Sequence, residues 1–117
     1  MTYLIGKHPY LSIKVVLQRN KWKKVECLID TGFSGGLSLP NEFRDYFQSR
    51  DFFEAHLKLA DGSEVKVDAT FTKVRFETQT REIDVIFMGD AEALVGIEFL
   101  DQMKFCLDLK EHKVTLE

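Results

Sequence analysis

The chain has 117 residues, 44% hydrophobic and 30% charged, with 16 Lys and Arg against 19 Asp and Glu for a formal charge of −3. That length and mix suit one globular domain, residues 1–117, and exclude disordered, collagen-like and coiled-coil chains. Mild acidity draws the molecule toward neither nucleic acid nor membrane, no apolar run approaches the ~20 residues that span a bilayer, and two cysteines are too few for a disulfide framework, so a cytoplasmic protein is expected.

Period-two alternation dominates the pattern. Leu11, Ile13, Val15 and Leu17 alternate with Ser12, Lys14 and Gln18, which predicts a strand buried on one side. The polar residues 18–24 read as a turn, followed by a strand over 25–29. A short strand Leu37–Leu39 stops at Pro40, and Phe43, Tyr46 and Phe47 at helical spacing predict a short helix over 41–48. Leu57 and Leu59 lead into Asp61-Gly62, the signal of a two-residue hairpin. Val65, Val67, Ala69 and Phe71 then alternate with polar residues, while Val74 and Phe76 sit in the opposite phase, which predicts a bulge or bend near Lys73. Thr78-Gln79-Thr80 marks a turn before a strand over 83–88. Ala93-Leu94-Val95-Gly96 is a short apolar run closed by glycine, and 97–103 has the spacing of a short helix. Phe105, Leu107 and Leu109, then Val114 and Leu116, predict a closing hairpin. The sum is an all-β barrel or sandwich with one or two short helices.

The sharpest local feature is Leu28-Ile29-Asp30-Thr31-Gly32-Phe33-Ser34-Gly35-Gly36. A carboxylate at the end of an apolar strand, backed by glycine, sits where backbone N–H groups can point at it and hold it ionised. By itself the tripeptide Asp-Thr-Gly is equally good turn chemistry at a strand's end. A second segment, Leu94-Val95-Gly96-Ile97-Glu98-Phe99-Leu100, supplies a pair of aliphatics, a glycine and a helical turn. Between the two lies Leu59-Ala60-Asp61-Gly62-Ser63.

This ordered set resembles the retropepsin-like aspartic proteases, in particular the small single-lobed bacterial type, and the resemblance runs from about Leu11 to Glu117. It implies a closed β-barrel of a single lobe. It implies Asp30 as the catalytic aspartate, Thr31 bracing the partner subunit's loop, and Gly32 allowing close approach to the carboxylate. Leu94, Val95 and Gly96 would thread beside the Asp loop and, with Phe33 and Ser34, border the substrate. Ala60, Asp61, Gly62 and Ser63 would tip a flap over a bound peptide. Two positions depart from the pattern. Glu98 replaces an Asp or Asn, and Phe33 replaces a small or hydroxyl-bearing residue, which removes a donor to the carboxylate and implies a less acidic optimum than in digestive relatives.

The implied chemistry needs two carboxylates, and this chain carries one Asp-Thr-Gly. The second must come from a second copy, so the resemblance implies a homodimer that cuts extended peptide without metal or cofactor. A non-catalytic peptide-binding dimer of the same fold is the alternative reading, and a barrel whose Asp-Thr-Gly is only a turn is a third. Elsewhere, Cys27 shares the buried side of its strand with Val25 and Ile29 and reads as a structural thiol. His8, His56 and His112 are scattered and lack metal-ligand spacing. The basic residues around Trp22 read as a solvated turn face, and the aromatics Phe43, Tyr46, Phe47, Phe52 and Phe53 as mainly core.

Overall fold

A computed structural model describes residues 1–17, 20–59, 61–89 and 92–117. The strands are β1 (Thr2–Ile5), β2 (His8–Leu17), β3 (Lys21–Ile29), β4 (Leu37–Leu39), β5 (Phe53–Lys58), β6 (Glu64–Phe76), β7 (Gln79–Phe87), β8 (Leu94–Val95), β9 (Phe105–Asp108) and β10 (Lys113–Leu116). The helical elements that can be bounded among the described residues are short: the 3₁₀ turns Asn41–Tyr46 and Ser49–Asp51, and an α-helical turn, α1 (Ile97–Leu100). Eight strands form one sheet in the order β1-β2-β3-β8-β4-β7-β6-β5, and β9 and β10 form a separate hairpin. A further pairing of β2 with β6, Lys14 opposite Arg75 and Val15 opposite Val74, closes the six strands from β2 through β6 in that order into a ring.

The alternation in β2 does what its period requires. Leu11, Ile13, Val15 and Leu17 point into the ring and are buried, as are Val25, Cys27 and Ile29 of β3. Leu37, Val85 and Val95 meet them from three other strands and are fully enclosed, and Phe99 of α1 plugs the same core at 1% exposure. Each such side chain taken from water stabilises the fold by about 1.5–3 kcal/mol, so the ring's interior is its main source of stability.

The structure departs from the sequence pattern at several points. Strand β1 has no alternation to announce it, since its residues are half-buried or exposed, yet it pairs in full register with β2 from Thr2–Leu11 to Ile5–His8. The helix expected over 97–103 is one turn, and the helix over 41–48 is a 3₁₀ turn. The Asp61-Gly62 hairpin is longer than two residues: Leu59 N–H donates to Ser63 O at 2.8 Å and Gly62 N–H to Leu59 O at 3.0 Å. Finally, β6 carries no bulge. Its register with β7 runs unbroken from Ala69–Ile86 to Phe76–Gln79. The phase change at Ala69 and Thr70, both buried, arises because β6 serves two apolar clusters in succession. Val67 and Ala69 face a small cluster with Phe33 and Ile86, whereas Val74 and Phe76 face the ring interior. The turn residues Gln18 and Arg19 lie outside the described residues.

The aromatic run after β4 divides. Phe43 is buried, and the rings of Phe47 and Phe52 each lie 5.5 Å from that of Phe87. Phe53 points the other way and is 42% exposed.

Candidate active site

Strand β3 ends at Ile29, and Asp30 follows at the mouth of a turn. Two backbone bonds hold it there: Asp30 N–H donates to Val95 O at 2.9 Å, and Phe33 N–H donates to Asp30 O at 3.1 Å. Asp30 as a residue is half-buried, and its carboxylate Oδ1 accepts the Gly32 N–H at 2.9 Å. A Cβ on Gly32 would stand 3.2 Å from that oxygen, so glycine leaves the carboxylate room. The adjacent open cleft is lined also by His8, Pro9, Leu28, Thr31, Phe105 and Leu107. Thr31 and Ser34 are exposed, and among the described residues neither hydroxyl has a partner, so Ser34 does not replace the donor that Phe33 lacks.

The loop is rigid because a second segment threads through it. Strand β8 lies between β3 and β4, parallel to the first (Leu28–Leu94, Ile29–Val95) and antiparallel to the second (Leu37–Val95, Ser38–Leu94). At its end Gly96 N–H donates to Gly36 O at 3.0 Å, Ile97 N–H to Phe33 O at 2.9 Å and Glu98 N–H to Gly35 O at 3.1 Å. A Cβ on Gly96 would meet Phe33 O at 2.3 Å, so the close approach requires glycine. Asp30, Thr31, Gly32, Phe33 and Ser34 are thus brought together with Leu94, Val95 and Gly96, although sixty-odd residues separate them in sequence. Phe33 is buried against Ala69 and Ile86, its ring beside Gly35. The N–H groups of Ser34 and Gly35 have no partner among the described residues.

Asp61, Gly62 and Ser63 cap the β5–β6 hairpin. Asp61 accepts both the backbone N–H of Ser63 at 2.9 Å and its hydroxyl at 2.6 Å, bonds that hold the Asp61 carboxyl below its ordinary range. Gly62 takes φ of +89°, a left-handed conformation natural to glycine. Ala60 lies outside the described residues.

No protein-family model matches the sequence, and no curated protein matches it either. Solved structures do. Over 86% of this chain and 91% of the other, the structure of EIAV protease complexed with the inhibitor HBY-793 superposes with a TM-score of 0.62 at 14% identity. A retropepsin-like aspartic protease from Rickettsia conorii gives 0.63 at 20% identity, over 93% of this chain and 80% of that one. The fold is retropepsin-like. Within this retropepsin-like lobe Asp30 is the one Asp-Thr-Gly carboxylate in the sequence, and Asp61 caps its own hairpin.

Other candidates fall away. Burial pushes the Cys27 thiol well above its ordinary range, so it is a core side chain and a poor nucleophile. Among the described residues no group of His, Cys, Asp or Glu has the geometry to hold a metal ion, and no helix is long and apolar enough to cross a membrane. One polar residue of this face escaped the sequence reading. Asp84 of β7 accepts the Gly36 N–H at 3.0 Å from 48 residues away, and the sole hint was the Gly35-Gly36 pair that makes room for it.

Proposed function

We propose that the chain is an aspartic endopeptidase whose water-activating dyad is two copies of Asp30, one from each chain of a homodimer. The observation that carries the reading is the Asp30 loop. A carboxylate held by the Gly32 N–H stands beside an open cleft, in a loop locked by β8, and it occurs once per chain. Its likeness in fold to solved aspartic proteases supports the same reading.

Two such carboxylates about 3 Å apart cannot both ionise and so share one proton. The ionised member takes a proton from a trapped water, which attacks the peptide carbonyl, and the protonated member donates to the developing oxyanion. The unpaired Ser34 and Gly35 N–H groups are donors for the main chain of an extended peptide, and the β5–β6 hairpin closes over it to exclude water. Thr31, exposed at the loop, faces the other copy. A reducing cytoplasm suits the two free thiols, Cys27 and Cys106.

The test is cleavage of a denatured protein by the wild-type chain and by Asp30→Asn, with sedimentation of both. Cleavage by the wild type alone, with both chains dimeric, is the expected outcome. Cleavage by Asp30→Asn, or a strict monomer up to millimolar concentration, contradicts the proposal. Peptide binding by both without cleavage by either identifies a non-catalytic binding dimer.

A further inference from the structure

One carboxylate beside the Asp30 loop is unused by the proposed chemistry. Asp84 points to the same face of β7 as Ile86, because side chains alternate along a strand. Ile86 packs with Phe33 and Ala69, three residues from Asp30 along the loop. Oδ2 of Asp84 accepts the Gly36 N–H, while Oδ1 has no hydrogen-bond partner and no cation within 4 Å among the described residues. The carboxylate fills space that side chains at 35 and 36 would claim. A Cβ on Gly36 would lie 2.7 Å from Oδ1, and one on Gly35 3.1 Å from Oδ2. Asp84 therefore lies against the loop that begins at Asp30.

Its other flank is aromatic. Phe71 is directly opposite Asp84 in the β6–β7 register, which sets their Cβ atoms about 5 Å apart. Phe53 is directly opposite Ala69, and its ring stacks on that of Phe71 with centroids 5.4 Å apart and planes 25° from parallel. This pair is exposed, Phe71 at 58%, on the face that continues through Ala69 and Ile86 to Phe33.

An unpaired carboxylate beside a stacked ring face selects a long cationic side chain. The aliphatic stem of Lys or Arg lies on the ring while its charged head takes Oδ1, joining cation–π attraction to a charge-assisted hydrogen bond. An apolar side chain there would cover Oδ1 without pairing it, and an acidic one would repel it.

We propose that Asp84, flanked by Phe71 and Phe53, forms a subsite for a basic side chain of the extended peptide, at a position outside the scissile pair. The inference rests on the peptide-binding part of the reading above, and its test separates the two. Binding is measured on the Asp30→Asn chain, so no turnover is needed, by anisotropy of labelled peptides in which one Lys is walked through about four residues on each side of an apolar pair. Norleucine and Glu serve as the neutral and acidic replacements. The expected result is a single position at which Lys binds about tenfold tighter than norleucine. Adding Asp84→Asn, whose amide oxygen can still accept the Gly36 N–H, should bring that ratio to about one. Adding Phe71→Ala, at an exposed position, should lower it severalfold.

A ratio unchanged by both substitutions, or no position that favours Lys, overturns the subsite. Wild-type chain that binds with this preference but never cleaves overturns the protease reading and leaves the subsite standing. Cleavage with no Lys preference does the reverse.

Discussion

Gly96→Ala tests the threading of β8 through the Asp loop, on which the site's rigidity depends. The new methyl would sit 2.3 Å from Phe33 O, 2.5 Å from Gly35 O and 2.6 Å from Phe33 Cδ2. Two of these atoms are backbone and cannot swing aside, so the gap must widen by about 0.7 Å to reach the ~3.0 Å at which real contacts begin. The same carbonyls accept the N–H groups of Ile97 and Glu98, and Gly96 N–H donates to Gly36 O. Widening the gap weakens all three bonds, each worth about 1 kcal/mol net, on top of an overpacking cost of about 1–3 kcal/mol. We expect a loss of about 2–4 kcal/mol, read in urea unfolding as a midpoint lowered by about 1–2 M. Gly32→Ala is the comparison. Its Cβ meets only the Asp30 carboxylate, at 3.2 Å, so it should cost far less stability while impairing cleavage. A Gly96→Ala midpoint within error of the wild type would refute the reasoning, because the loop would then not depend on that close approach.

Two further outcomes follow from the outer face of the ring. Lys14 stands directly opposite Lys24 on one neighbour and Arg75 on the other, so Lys14→Glu should raise stability by roughly 0.5–1 kcal/mol, an effect that fades with added salt; thermal unfolding at two ionic strengths checks both parts. Hydroxyl donors on Ser12 and then Tyr3, at 2.6 and 2.7 Å, hold the Glu26 carboxyl below its ordinary range. A carboxyl lowered in the folded state contributes stability above its unfolded pKa and loses it as pH falls through the folded one. Wild type should therefore exceed Glu26→Gln in stability at neutral pH, and the difference should shrink steadily on acidification. A difference that does not vary with pH contradicts this.

The parts of the fold legible in sequence were those whose apolar residues are regularly spaced or end at a clear stop. Strand β2 shows strict alternation, β4 is Leu37-Ser38-Leu39 stopped by Pro40, and the closing hairpin alternates as Phe105, Leu107, Val114 and Leu116. Strand β1 was hidden because it lies at the sheet's edge with neither face buried. The phase change in β6 was visible, but its cause was not, since only the closed ring shows two clusters on opposite faces of one strand. Phe52 and Phe53 are neighbours of identical type, yet one packs on Phe87 and the other on Phe71, because the strand that begins at Phe53 turns alternate residues outward. Asp30 could be singled out by its local turn chemistry. Asp84 could not, since its importance lies in a hydrogen bond across 48 residues and in a cross-strand neighbour.

The central claim is that two Asp30 carboxylates, one from each chain, form one site. Mixing wild type with Asp30→Asn at concentrations where all chains are dimeric tests it most directly. Random pairing under two-fold symmetry leaves only wild-type pairs competent, so an equal mixture should show about half the activity per wild-type chain, falling further as the variant is added in excess. Activity per wild-type chain that stays constant at every ratio would contradict the account, because each chain would then carry a complete site of its own.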